Sequence, residues 1–568
     1  MATRAAAASD PCAGGGAQRW ARVTARAAFT FTSKGRMTVH RSRSGALRGG
    51  VQASDGRPVD GRPVLHPISH PGGVTREAFE AVAVEAVNDV FADRNPGGFV
   101  DLATVESCLL DGWVTSGTGK ERPSPSSGSE LRTCAAQLLV EGGAGAPWAA
   151  SQGWLEAEWV TLLGTKREAE AVEMVVAAAL HAVSDDDDED GDDDGDDGGL
   201  RRTGVIVVAP YRPAWPSPDG PLLSPRVSDV DADVDVGRAR AVVASVDPAA
   251  FGGDVHAALL AAEAVLRAGG EEGGVEVGAV VVGNPSPATG RVLPLGDALI
   301  VNEFCQSRRA HVVADETMAA AAFVRATSAA AAAAGAGAGD GPIGRRVKRS
   351  GGKDGGGTED GDGDDDAAGF GRRAGFISTS SLWRKGDARS HVLTAFGAAA
   401  GLPRGKTSCL LITRDTRVRW GAGTDPYANG LAALFVDGGT AAREAFAHHN
   451  RLLRRRQDTF RGALDALGIA TGVGKTERHS AVPSLASDGG AVAWVDLRRW
   501  CGGSWAGEAR VWDQLASVHR VLLVPGCLCG AAEPGWFRAC VAGTEEAMME
   551  GLERLELGIR HANDTGGG

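Results

Sequence analysis

Residues 275–316, VEVGAVVVGNPSPATGRVLPLGDALIVNEFCQSRRAHVVADE, hold the clearest unit of architecture in the chain. An apolar run at 277–282 stops at a turn rich in Asn, Pro and Gly. A helical segment follows with Ile300, Val301 and Phe304 on one face, and a second apolar stretch at 311–314 ends on an acid. Parallel strands need a crossover of about a dozen residues or more, usually a helix, and buried parallel strands read as continuous apolar runs. The stretch therefore predicts a βαβ unit, with Asp297 placed to favour the helix N-terminus. Ligands of open α/β sheets sit beyond the carboxyl ends of the strands, which is where Asn284 and Asp315 fall.

Outward from this unit the chain alternates between patterned and unpatterned segments. Residues 1–74 read as an extension and linker, and 75–183 as an N-terminal segment and the start of a large domain. Thr75 precedes Phe79, Val82, Ala86 and Val90 at helical spacing. A second helix is expected over 168–183, opened by Gly164-Thr165, a turn able to present N–H groups to an anion. Residues 184–199 form an acidic insertion expected to be disordered. Residues 200–326 continue the large domain, with strands over 204–209 and 239–246 and a helix over 255–268. A second disordered insertion is expected over 327–373, and the large domain resumes over 374–438. A small C-terminal domain covers 439–560, ahead of a tail at 561–568. It opens on a long helix, 440–467, with Leu453, Phe460, Leu464 and Leu467 on one face, and continues with strand 491–497, helix 511–519, strands 521–524 and 537–542, and helix 545–555. The fold class expected is α/β, a three-layer large domain on a mostly parallel sheet with a smaller α+β domain.

The net charge of −13 is a poor guide to partners, because residues 184–197 carry 11 acids and residues 351–367 carry 7 against one lysine. The remainder is near neutral, so no nucleic-acid footprint is implied. Nine cysteines spread through a long chain make no disulfide framework, and the close pair Cys527 and Cys529 lacks zinc-site spacing, so no metal is expected. No run of 18 apolar residues predicts a membrane span. Residues 1–50 hold eight Arg and the single acid Asp10. That composition is similar to an organellar transit peptide and equally to a disordered extension, so the location expected is cytoplasmic or organellar. The calcium-loop-like frame inside the acidic run, and the triplets Gly405-Lys406-Thr407 and Gly474-Lys475-Thr476, are chance matches without their motifs' remaining glycines or ligands.

One set of motifs recurs in order and spacing. It comprises Asn95-Pro96-Gly97 with Leu102, Pro210-Tyr211-Arg212-Pro213, Asn284-Pro285 with Gly290, Asp315-Glu316, Gly401-Leu402-Pro403, Val495-Asp496-Leu497 and Pro534-Gly535-Trp536-Phe537-Arg538. This order resembles the fold-type-I pyridoxal-phosphate enzymes, and within them the class I/II aminotransferase branch that includes 1-aminocyclopropane-1-carboxylate synthase. The resemblance covers about residues 75–560 without the two insertions, and its most specific piece is 522–542, LLVPGCLCGAAEPGWFRACVA.

The resemblance implies roles residue by residue. Asp315 matches the acid that pairs with the cofactor's pyridine nitrogen, and Tyr211 the aromatic against its ring. Asn284 and Thr165 fall at cofactor-binding positions. Arg538 matches the arginine that takes the substrate α-carboxylate in a fork, and Glu106 a substrate-side acid. The departures are as informative. Ala398 stands where the Schiff-base lysine belongs, so no amine is there to hold the cofactor or move the α-proton. Two phosphate-binding hydroxyls are missing, Lys406 replaces a phosphate-binding arginine, and Pro287 and Met318 replace the asparagine and tyrosine that bond the cofactor's phenolic oxygen. The expectation is a catalytically degenerate relative that binds pyridoxal phosphate weakly or not at all and takes a small amino-acid ligand. The alternative is a working pyridoxal-phosphate aminotransferase or lyase with a rearranged site, for which Lys406 is the candidate amine. A homodimer is implied by the resemblance, although the tyrosine expected from a neighbouring subunit has no counterpart in residues 115–129.

Overall fold

The computed structural model describes residues 64–65, 70, 72–105, 107, 109, 159–163, 168–187, 203–213, 215–216, 241–268, 275–322, 378–382, 388–396, 408–415, 418, 440–471 and 490–565. The strands in chain order are β1 (Val64–Leu65), β2 (Val100–Asp101), β3 (Val160–Leu163), β4 (Thr203–Val208), β5 (Val242–Val246), β6 (Glu276–Gly283), β7 (His311–Glu316), β8 (Ser390–Phe396), β9 (Ser408–Thr413), β10 (Val492–Asp496), β11 (Val521–Leu522), β12 (Val524–Pro525) and β13 (Trp536–Cys540).

Eight of them build one sheet in the order β1-β5-β4-β6-β7-β8-β9-β3. The run β5-β4-β6-β7-β8 is parallel, and β1, β9 and β3 pair antiparallel to their neighbours. The quoted stretch is the predicted βαβ unit, with the helix Leu295–Ser307 joining β6 to β7. Side chains of a strand alternate between faces, and the core divides accordingly. Ile206, Val280, Val282, Val312 and Ala314 pack with the helices Val255–Ala268 and Leu295–Ser307. Val205, Val207, Ala279, Val281 and Val313 pack with the helix Glu168–Asp187 on the other face. Helices on both faces of a mainly parallel sheet make the three-layer domain expected.

The second body is a three-stranded antiparallel sheet, β10-β13-β12, against the helices Thr440–Ala466, Trp505–Asp513 and Glu545–Thr565. Leu453, Phe460 and Leu464 of the long helix are fully buried in its core, and Arg456 reaches Glu545 of the last helix at 2.7 Å.

Several boundaries differ from the sequence reading. Residues 75–105, the first part of the N-terminal segment, pack on the small domain. Helix Arg76–Asn88, capped by the Thr75 side chain on Ala78 N, and β2, which pairs parallel with β11, contribute Ala86, Phe99, Val100 and Leu102 to the small-domain core. The spacing of Phe79, Val82 and Ala86 gives a helix its buried stripe but does not say which body receives it. The helix expected at 511–519 begins at Trp505, because Ser504 caps Gly507 N, and ends in a π-helical turn, Gln514–Val518. The last helix runs through Thr565 rather than 555, with Ile559 extending the buried stripe of Leu552 and Leu555. Helix Glu168–Asp187 enters the acidic run by four residues. The rest of that insertion, residues 327–373, the Arg-rich residues 1–50, both glycine-lysine-threonine triplets and residues 115–129 lie outside the described residues.

Candidate functional site

The carboxyl ends of β4, β6 and β7 converge on Asp315, which has 0% exposure. Its parity with Val313 turns its side chain to the face of helix Glu168–Asp187, while Glu316 shares the opposite face with Ala314. The segment after β4 brings Tyr211 and Arg212 over the same acid. Arg212 Nε donates to Asp315 Oδ2 at 2.7 Å and Nη2 to Oδ1 at 3.0 Å, a planar fork. Tyr211 OH donates to Oδ2 at 2.7 Å, and Thr317 gives its N–H and hydroxyl to Oδ1 at 3.1 and 2.6 Å. Arg212 also donates to the Thr317 hydroxyl and, through Nη1, to Glu168 Oε2 at 3.3 Å. Glu168 is the first residue of its helix, so this end of the cup carries an acid.

Five donors therefore converge on one carboxylate, which offers about four lone-pair sites. Burial alone would raise the Asp315 carboxyl, but the Arg212 charge and these hydrogen bonds hold it below its ordinary value. Asp315 in turn lifts the Arg212 guanidinium well above its ordinary value despite burial. Burial pushes the Glu168 carboxyl up, with Arg212 opposing it, and burial and the neighbouring Asp315 charge push up the Tyr211 phenol.

Arg538 comes from β13, flanked by Trp494 of β10 and Val524 of β12. It is buried at 6% exposure. Nη2 donates to the carbonyl of Ala103, Nη1 to that of Pro287 at 3.3 Å, and Nε has no partner among the described residues. No carboxylate of the described residues is hydrogen-bonded to it; burial lowers its pKa, while Cys529, Cys540 and Asp101 oppose the fall. The Arg212 charge acts in the same direction as burial, which puts the two guanidinium groups within reach of each other's field. Further links hold the two bodies around this place: Tyr211 N donates to Cys529 O at 2.9 Å, and Ala532 N to Asp247 Oδ2 at 2.9 Å.

The structure thus puts Tyr211 and Arg212 on Asp315 and Arg538 within the field of Arg212, with contacts partly different from those implied. Tyr211 turns its hydroxyl to Asp315, and its ring makes a T-shaped contact with Trp215, with centroids 5.1 Å apart. The Asn284 side chain serves the other face, accepting from Leu293 N at 3.1 Å and donating to Glu316 Oε1 at 3.4 Å. Pro287 lends its carbonyl to Arg538, and Met318 is buried in the small-domain core. Thr165, Glu106, Ala398 and Lys406 lie outside the described residues. Arg212 and Glu168 are the site residues that sequence reasoning missed. The signal was present, since Arg212 is the variable position of Pro-Tyr-x-Pro. Among the described residues no group of His, Cys, Asp or Glu is arranged to hold a metal, and no helix is long and apolar enough to cross a membrane.

Comparison with known proteins bears on the fold. Residues 427–555 match the family model for aminotransferase class I and II. A rice 1-aminocyclopropane-1-carboxylate synthase 4 is 33% identical over 133 residues, 22% of this chain and 24% of that protein. A rice 1-aminocyclopropane-1-carboxylate synthase 1 is 24% identical over 305 residues, 52% of this chain and 51% of that one. The matched stretches thus span about half or less of these curated relatives. The fold is similar to aspartate aminotransferase from Thermus thermophilus with maleate, at a TM-score of 0.50 and 16% identity, over 86% of this chain and 99% of that one.

Proposed function

We propose, from the premise that the chain belongs to the class I and II aminotransferase family of fold-type-I pyridoxal-phosphate enzymes, that it keeps the fold's carboxylate site at Arg538 and has lost the catalytic apparatus. On this reading it binds a small amino acid without turning it over. The observation that carries it is Arg538 itself, a buried guanidinium donating to two backbone carbonyls, with no described carboxylate in hydrogen-bond contact and with the charge of Asp101 only partly offsetting the cost of its burial. An uncompensated buried charge is costly, and a ligand carboxylate taken in a fork would relieve it.

Pyridoxal phosphate is the family's cofactor and, when bound, supplies a protonated ring that accepts electrons. The described residues do not fit that group as they stand, because Asp315 has no lone pair left for a ring N–H. Loss of turnover is supported separately by the sequence. Ala398 has no amine, and neither Pro287 nor Met318 offers a side-chain donor to a phenolic oxygen. A homodimer follows from the same family reading, and a monomer in sedimentation at micromolar concentration would remove it.

The test is calorimetric titration of the twenty standard L-amino acids into the wild type, Arg538→Lys and Arg538→Ala. At least one should bind the wild type. Arg538→Ala should weaken it by about tenfold or more, since a charged hydrogen bond contributes roughly 1.5–3 kcal/mol. Binding to none, or equal binding to all three proteins, contradicts the reading.

A further inference from the structure

We propose that Arg212 is a built-in replacement for the cofactor's ring cation: its guanidinium occupies the hydrogen-bonding positions on Asp315 that a pyridinium would need, and so sets the cup's specificity against pyridoxal phosphate. The inference rests on the family reading for the role of Asp315, and not on ligand binding at Arg538.

Four observations carry it. Asp315 is fully buried, so without a cation it would be an uncompensated charge. Arg212 supplies that cation through two bonds, at 2.7 and 3.0 Å, where a pyridinium has one N–H to offer. The guanidinium is held from its other side by Glu168 and Thr317, so it is seated rather than merely near. The Tyr211 hydroxyl is spent on the same carboxylate. A ligand cation would have to displace a group already tethered to the chain, and would bear the entropy of association that Arg212 does not.

The experiment uses pyridoxamine phosphate, which carries the cofactor's ring and phosphate but no aldehyde to react with surface lysines. Thermal melting of the full chain should be unmoved by it at micromolar to low millimolar concentration. In Arg212→Ala the unliganded melting temperature should fall, and pyridoxamine phosphate or methylguanidinium should raise it saturably. The apparent affinity of that variant for pyridoxamine phosphate should exceed the wild type's by about tenfold or more. Asp315→Asn in the same background should abolish both effects. If Arg212→Ala does not fold, Arg212→Ala with Asp315→Asn decides. The double variant folds if Arg212 serves to neutralise Asp315, and fails like the single variant if it does not. Saturable micromolar binding to the wild type that is lost in Asp315→Asn, or a folded Arg212→Ala that gains no affinity, overturns the proposal. Neither outcome depends on the amino-acid titrations at Arg538.

Discussion

Asp315 and Glu316 are neighbours on β7, yet their carboxylates face opposite sides of the sheet and are met by opposite electrostatics. Asp315 receives a guanidinium, a phenol and Thr317. Glu316 receives only uncharged donors: Thr379 N at 2.7 Å, the Thr379 hydroxyl at 2.9 Å, the Ser378 hydroxyl at 2.7 Å and Asn284 Nδ2 at 3.4 Å. Burial therefore wins at Glu316 and pushes its carboxyl up to about 7, while the cation wins at Asp315. Glu316 ties residues 378–379 to the sheet, and Asp315 ties down the Tyr211–Arg212 segment.

Glu316 gives a stability dependence of known sign. Its folded value of about 7 lies above its ordinary 4.5, so the folded state binds the proton more tightly. The stabilisation is fully present below pH 4.5 and is lost as pH rises through 7, to the extent of about 3 kcal/mol. Glu316→Gln removes this dependence while keeping an oxygen for Thr379 N. Urea unfolding at pH 5 and pH 8 should show the wild type losing more stability than the variant over that interval, and parallel losses would refute the assignment.

His449 acts with the opposite sign. It is fully buried, bonded through Nε2 to the Ser107 hydroxyl at 2.9 Å and through Nδ1 to Asn450 Oδ1 at 3.3 Å, and burial lowers its pKa to about 4. Its contribution is present above pH 6.5 and is lost as pH falls through 4. Because the two windows overlap with opposite sign, the wild-type profile is flattened, and each dependence is read as the difference between wild type and the variant that removes it. His449→Gln should therefore steepen the loss of stability between pH 5 and 7; an unchanged slope contradicts this.

Glu508 is a third fully buried acid, and its work is structural. Its oxygens accept Cys527 N at 3.0 Å and Gly535 N at 2.5 Å, pinning the turn before β13 that presents Arg538. Glu508→Ala would leave two buried N–H groups unpaired and should cost roughly 2–5 kcal/mol in chemical unfolding. Glu508→Gln keeps one acceptor and should cost less than Glu508→Ala. Equal losses would show that packing alone matters there.

The sequence made the sheet legible because its β6-helix-β7 unit, residues 275–316, is apolar in a way only buried parallel strands are. It made Asp315 and Arg538 legible through their motifs. What it could not show was pairing. Nothing in Pro-Tyr-x-Pro says that the variable residue reaches an acid 103 positions later, and helical spacing in 76–88 does not choose between two bodies. The motif around Tyr211 suggests a ring partner, because the destination of its hydroxyl depends on that same long-range contact. Its place at a strand end suggests a cofactor role for Asn284, because strand ends locate a site without saying which face each side chain takes.

The proposed loss of the lysine at position 398 yields a further prediction. Ala398→Lys alone should not gain cofactor binding, since Arg212 would still hold Asp315. Ala398→Lys combined with Arg212→Ala should gain it by about tenfold or more over either single variant in a spectral titration with pyridoxal phosphate. Low-micromolar saturation of Ala398→Lys by itself would contradict this.

The most direct measurement takes the unmodified protein. It is incubated with pyridoxal phosphate, reduced with borohydride, digested and mapped by mass spectrometry. The prediction is no stoichiometric adduct and no saturable absorbance change. A stoichiometric adduct at a single lysine, Lys406 above all, with absorbance that titrates to one cofactor per chain, would show a working cofactor site and contradict the closed cup at Asp315.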